Sequence, residues 1–160
     1  MIVVVMGVSG SGKTTIGRLL AEQLGWPFHD ADDFHPPANV QKMRRGEPLN
    51  DSDRIPWLEE LSRLIGKSLQ SESSAVLACS ALKSAYRAYL LIDPRVRLVY
   101  LKGDYLLIHD RLNDRRDHYM NATLLESQFA ALEEPEGAIV ADVAAPPAEV
   151  VRIVRESLRV

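Results

Sequence analysis

Apolar residues follow two spacings that take turns along the chain. Ile2 to Val5 is a β-branched run bounded by Gly7 and predicts a buried strand. From Lys13 to Leu24, Ile16, Leu19, Leu20 and Leu24 recur at helical spacing, and Gly25 stands where a C-terminal cap belongs. "WPFHDADDF" predicts a short second strand ending in acids. Pro36 and Pro37 suit the start of a helix and Gly46 its end. The next helix is expected with Asp51 or Asp53 near its N-cap, Pro56 in its first turn and Leu58, Leu61, Ile65 and Leu69 facing inward. "AVLACS" reads as a third strand and Ala85 to Ile92 as a helix closed by Asp93-Pro94. "VRLVYLK" alternates as a fourth strand, and Asp104 caps a helix carrying Leu106, Leu107 and Leu112. Thr123 and Glu126 have the spacing of a capping box ahead of Phe129 and Leu132. "AIVADV" is a fifth strand, and Pro146-Pro147 opens a last helix with Val150, Val151, Val154 and Leu158 on one face. Strands alternating with helices predict a parallel sheet covered on both sides.

That alternation changes meaning once the first junction is read. Gly7-Val8-Ser9-Gly10-Ser11-Gly12-Lys13-Thr14 matches G-x-x-x-x-G-K-[ST], after a strand and before a helix, which is the setting of a P-loop. Backbone N–H groups wrap a polyphosphate only where side chains leave them free, hence the glycines, and the helix N-terminus adds partial positive charge. Lys13 supplies a cation for the outer phosphates and the Thr14 hydroxyl reaches Mg²⁺. The candidate nucleotide-binding set is therefore Gly7, Val8, Ser9, Gly10, Ser11, Gly12, Lys13, Thr14 and Thr15.

Three absences narrow the class. There is no N/T-K-x-D tetrad to read guanine, the third strand ends without the Mg²⁺-holding acid of motor ATPases, and 160 residues leave no room for their added domains. A small-molecule kinase remains. Asp30, Asp32 and Asp33 crowd beside His29 and His35 after strand two, at the carboxyl edge of the sheet where ligands bind in this architecture. One carboxylate there can take the proton of an attacking hydroxyl, and another can hold Mg²⁺ through its waters. A metal site made of His29, His35 and the acids is a weaker alternative. Arg111, Arg115 and Arg116 share roughly one helix face and suit a basic lid over the travelling phosphoryl group.

Composition sets the outer limits. Net charge is −3, which argues against nucleic acid as a partner. The single cysteine, Cys79, excludes an intramolecular disulfide and reads as a small buried hydrophobe. No apolar run is long enough to span a membrane and no signal peptide is evident, so a cytoplasmic location is expected. Trp26, Trp57, Tyr86 and Tyr89 are aromatic binding candidates, most of them expected instead in helix–sheet packing.

"MGVSGSGKTT", "DADDFHPPANVQKMRRGEPLNDSDRIPWL", "CSALKSAYR", "YLKGD" and "RRDHYMNATLLESQFAALEEP" together resemble the P-loop gluconokinases over nearly the whole chain. The stretch His35 to Leu58 is the most specific, and "CSALK" stands where shikimate kinases carry a glycine triplet. The resemblance implies a P-loop fold of nucleoside-monophosphate-kinase type over residues 1–160. Its parallel sheet would have five strands in the order 2-3-1-4-5, with substrate-binding helices at about 36–70 and a mobile lid at about 111–123. It implies ATP- and Mg²⁺-dependent phosphorylation of D-gluconate on the 6-hydroxyl, feeding the pentose phosphate pathway, by a homodimer. Residue by residue, it makes Asp32 the base, assisted by Lys13 and Arg115, and Asp30 a Mg²⁺ partner through water. His35, Arg54, Lys83 and Arg87 become substrate positions, with Arg54 or Arg87 the bidentate cation for the gluconate carboxylate. Arg111 would stack on adenine, Arg115 would reach the phosphates, and Pro146 would pass the adenine. His118 and Gln128 match family positions without an assigned role. Two departures stand out: Ala144 and Ala145 replace polar residues beside the adenine, and Asp117 replaces a usual glycine in the lid. The competing readings are a nucleotide sensor without turnover, against which Lys13, Thr14, Asp30, Asp32 and the lid arginines are all present, and a kinase of the same fold acting on shikimate or a nucleoside monophosphate.

Overall fold

A computed structural model describes residues 1–114 and 122–160. Five parallel strands, β1 (Ile2–Met6), β2 (Phe28–Asp30), β3 (Ala75–Ala78), β4 (Val96–Lys102) and β5 (Ile139–Asp142), form one sheet in the order β2-β3-β1-β4-β5. Around it lie α1 (Lys13–Leu24), α2 (Pro37–Arg44), α3 (Asp51–Gln70), α4 (Ser84–Arg87), α5 (Tyr105–Asn113), α6 (Ala122–Ala131) and α7 (Pro147–Leu158). The expected fold and strand order are those observed.

β1 is central and buried on both faces, as its unbroken apolar run requires. Ile2, Val4 and Met6 face α3, where Leu58, Leu61, Ile65 and Leu69 recur at helical spacing. Val3 and Val5 face the opposite layer, with Ile16 and Leu20 of α1 and Val150, Val151 and Val154 of α7. A smaller cluster of Val8, Leu82, Ile108, Leu112 and Leu125 ties the P-loop to α5 and α6. β4 is buried on both faces from Leu98 to Leu101, because it too is an inner strand, so the expected alternation is lost.

Three boundaries differ from expectation. α3 is capped by Asn50, whose side chain accepts from the Asp53 amide while Asp53 accepts from the Asn50 amide. The helix thus begins before Asp53, and Pro56 falls in its second turn, giving up one backbone bond to exposed Ser52. α4 is one turn, since Leu90 swings into the core while Leu91 and Ile92 stay exposed. Thr123 lies inside α6, beyond the position of a cap. Asp104 does cap α5, accepting from the Leu107 amide at 2.9 Å.

Candidate active site

The segments after β1 and β5 line one cavity at the carboxyl edge of the sheet, and those after β2 and β3 help to line a second. The first, about 420 Å³, is lined by Gly10, Ser11, Gly12, Thr15 and Ile16, by Arg111 from α5, and by Val143 to Pro147 and Val150. Its floor is backbone. Gly10 has φ +80°, and a Cβ there would stand 2.7 Å from Leu112. Gly12, φ +97°, opens α1 without a side-chain cap, so the first amides of that helix are free for an anion. Ser11 Oγ is buried with no hydrogen-bond partner among the described residues, a polar atom in want of an anion or water. Arg111 and Pro146 sit on this wall, while the Ala144 and Ala145 side chains can offer only apolar contact.

Lys13 reaches back to the Val8 carbonyl at 3.1 Å. Burial lowers its pKa, opposed by the charges of Asp32 and Asp30. Thr14 Oγ1 donates to Asp30 Oδ2 at 3.3 Å, so a hydroxyl and a carboxylate meet at the start of α1. Such hard oxygen donors suit Mg²⁺. Asp30 also accepts from the Asp32 amide at 3.0 Å, which fixes the turn that carries Asp32.

The second cavity, about 620 Å³, is walled by side chains from four separate stretches, among them Asp32, His35, Arg54, Lys83, Tyr86 and Gln128. Burial raises the Asp32 pKa and the like charge of Asp30 adds to it, while His35 and Lys13 pull the other way. His35 stacks on Trp57 with ring centroids 4.4 Å apart, and the Trp57 indole N–H donates to the Ala31 carbonyl. Asn39 fixes the His35 tautomer. Its Nδ2 donates to the Asp53 carbonyl at 2.8 Å and meets His35 Nδ1 at 3.2 Å. A carbonyl only accepts, so the amide nitrogen is placed, Nδ1 is the acceptor and Nε2 carries the proton. Burial lowers the His35 pKa, against the pull of Asp32 and with the push of Arg54.

Arg54, Lys83 and Tyr86 form the cationic end of this cavity. Arg54 Nη1 donates to the Leu49 carbonyl at 2.9 Å and lies 3.8 Å from Asp51; Lys83 Nζ is 3.4 Å from the same carboxylate. The Tyr86 hydroxyl also donates to Asp51, which holds that carboxyl below the usual range. Tyr86 thus belongs to the site and not simply to the packing expected of it.

Arg87, expected to meet substrate, does not line this cavity: its side chain is buried beneath the β3–α4 loop, where Nη1 donates to the carbonyls of Ala81 at 2.9 Å and Leu82 at 3.1 Å. An arginine matched by position says nothing of which way it points, and here unpaired carbonyls claimed it. Of the two arginines expected to meet the carboxylate, Arg54 lines the cavity. His29 turns to Phe34, and among the described residues no three of His, Cys, Asp and Glu gather as a metal cage. Cys79 is buried and its thiol is pushed up to about 12, mainly by burial, so it is no nucleophile. Arg115, Arg116, Asp117 and His118 lie outside the described residues.

Gln128 of α6 had no argued role, yet it ties the second cavity to the P-loop. Its Oε1 accepts from the Ser9 amide at 2.6 Å and its Nε2 donates to Ser9 Oγ at 2.9 Å. The partners are 119 positions apart, so no local pattern could have announced the bond.

Comparison with known proteins agrees with this geometry. The family model of shikimate kinase matches residues 9–151. A probable gluconokinase of Rattus norvegicus is 46% identical over 153 residues, covering 84% of this chain and 83% of that one. Among solved structures, a sugar kinase from Janibacter sp. HTCC2649 superposes with a TM-score of 0.90 at 42% identity, covering 99% of this chain and 94% of that chain. A gluconokinase from Sinorhizobium meliloti 1021 does so with a TM-score of 0.85 at 42% identity, covering 98% and 90%.

Proposed function

The chain belongs to the gluconokinase family of P-loop kinases, and we propose that it transfers the γ-phosphoryl group of ATP to the 6-hydroxyl of D-gluconate, yielding 6-phosphogluconate and ADP. The observation that carries this reading is a carboxylate, Asp32, that lines the side-chain cavity and feels the charge of the P-loop lysine. A donor in one cavity and an acceptor in the other would meet at that residue.

The acceptor binds with its carboxylate toward Arg54 and Lys83 and its chain of hydroxyls running past His35 to Asp32. Arg54 offers a planar pair of donors to the carboxylate, and His35 Nε2–H donates to a hydroxyl. At the far end Asp32 takes the O6 proton as O6 attacks the γ-phosphorus. The bond from that phosphorus to the bridging oxygen of ADP breaks in line, and the proton leaves Asp32 for solvent afterwards. Lys13 and the free amides of the P-loop hold the charge that gathers on the phosphate oxygens. Thr14, and Asp30 through water, would hold Mg²⁺, which when bound neutralises the β- and γ-phosphates. Arg111 and Pro146 flank the adenine, and the family resemblance assigns Arg115 to the phosphates. The enzyme acts as a cytoplasmic homodimer feeding the pentose phosphate pathway, as the family resemblance implies.

ADP release from Mg-ATP, measured with D-gluconate, shikimate, AMP or no acceptor, tests the reading. Release that depends on gluconate supports it. Release with shikimate or AMP instead, or with no acceptor dependence, refutes it.

A further inference from the structure

Ala81 is a buried alanine in the left-handed region, at φ +46°, in the loop between β3 and α4. A Cβ makes that conformation costly, and such strain persists only where the surroundings over-determine it. Here they do. The Ser80 carbonyl accepts from the Gly7 amide at 3.4 Å, at the entry of the P-loop. The Leu82 carbonyl accepts from the Glu133 amide at 2.9 Å, and Glu133 in turn accepts from the Ser84 amide at 2.7 Å. Between these ties stands Arg87, whose Nη1 bridges the Ala81 and Leu82 carbonyls. The loop so held presents Ser80, Leu82 and Lys83 to the acceptor cavity. Arg87 itself is not on that wall.

We propose that Arg87 is a positioning residue that holds the strained Ala81 turn, setting Ser80 and Lys83 against the acceptor while never touching it. The proposal rests on the acceptor-cavity reading above and adds to it the source of the loop's shape. A buried guanidinium bridging two carbonyls is a rigid staple, since the two N–H bonds of Nη1 lie in the guanidinium plane at a fixed angle. A lysine in its place cannot span both carbonyls with the same rigidity. Removing the staple lets Ala81 relax toward negative φ, and the carbonyl plane and the Lys83 side chain move with it. A glycine at position 81 has no such preference, so the loop should keep its shape with less help.

The experiment compares Arg87→Met, Arg87→Lys, Ala81→Gly and the double variant Arg87→Met/Ala81→Gly in Mg-ATP-dependent gluconate turnover. Arg87→Met should raise the gluconate KM of the order of tenfold, by misplacing a positioned group, with the ATP KM within about twofold of wild type. Ala81→Gly alone should stay near wild type, and adding it to Arg87→Met should recover most of the lost gluconate affinity. Arg87→Lys should fall between. A gluconate KM left unchanged in Arg87→Met overturns the proposal, as does a loss that Ala81→Gly fails to relieve, which would mean that Arg87 meets the substrate directly. Recovery of thermal stability without recovery of KM also overturns it. If Arg87→Met does not fold, Ala81→Val serves: a β-branched residue at positive φ should raise the gluconate KM with Arg87 intact, and no rise refutes the role of the turn. Hydrogen exchange reads the staple without any acceptor. Exchange in the peptide spanning Ser80 to Arg87 should quicken in Arg87→Lys, and equal exchange contradicts the proposal even if the wild type proves to use another acceptor.

Discussion

The two cavities are made of different material. The nucleotide side is backbone: a contiguous loop from Gly7 to Thr15 whose glycines take conformations other residues resist, with the free amides of α1 beneath it. The acceptor side is side chain: Asp32, His35, Arg54, Lys83, Tyr86 and Gln128 arrive from four stretches, His35 held by Asn39 and Trp57, and Arg54, Lys83 and Tyr86 gathered on Asp51. Backbone can bind any triphosphate, because it recognises charge and spacing. Side chains drawn from several elements can discriminate one small polyol acid from another, because each donor is placed independently.

If this division holds, single substitutions should separate the two sides. Lys13→Met strikes the nucleotide side and should lower kcat by about 10³-fold, since it removes a cation aimed at developing charge. Steady-state ADP release checks this, and gluconate binding by calorimetry should survive. Asp32→Asn removes the proton acceptor where the two sides meet and should lower kcat by at least about 10²-fold, with Mg-ATP affinity retained. Retained turnover in Asp32→Asn would unseat the base. Gln128→Ala cuts the bond between the sides. A few-fold rise in both KM values is expected, because coupled contacts of this kind are worth a modest amount each. An effect on one substrate alone would show that Gln128 serves one cavity only.

The smallest effect is in pH. Burial lowers the His35 pKa, so the ring takes its charge at a lower pH than an ordinary histidine. Protonation there would put a second N–H against the Asn39 amide and disturb the hydroxyl contacts. The rise of the gluconate KM on acidification should therefore be centred below about pH 6.5, the ordinary histidine value. A rise centred at or above the ordinary value would contradict the buried, Asn39-paired ring, and His35→Asn should flatten the profile.

Legibility in the sequence followed the same division. A loop that must expose consecutive amides needs its glycines consecutively, so the P-loop and its strand and helix were plain to read, as was the alternation that led to a parallel sheet. The substrate side was reached through resemblance, and resemblance carries residue identity without orientation. Arg54 and Arg87 looked alike as carboxylate ligands, yet one lines the cavity and the other staples a loop. Tyr86 looked like packing, and its hydroxyl turned out to complete an ion cluster with Asp51. Gln128 meets Ser9 across the whole fold, a pairing only tertiary structure creates. The α3 start was legible to within a residue, since Asp51 and Asp53 both lie near the cap; the cap itself is Asn50, which pairs reciprocally with Asp53.

In the proposed reaction the side-chain cavity reads a carboxylate through Arg54. That contact is tested most directly by the ratio of kcat/KM for D-gluconate to that for D-glucitol, the polyol lacking the carboxylate, in wild type and in Arg54→Ala. A charge-assisted pair predicts a wild-type preference for gluconate that falls by about tenfold to a hundredfold in Arg54→Ala, with glucitol turnover little changed. An equal ratio in the two enzymes would contradict the account and move the carboxylate to another part of the cavity.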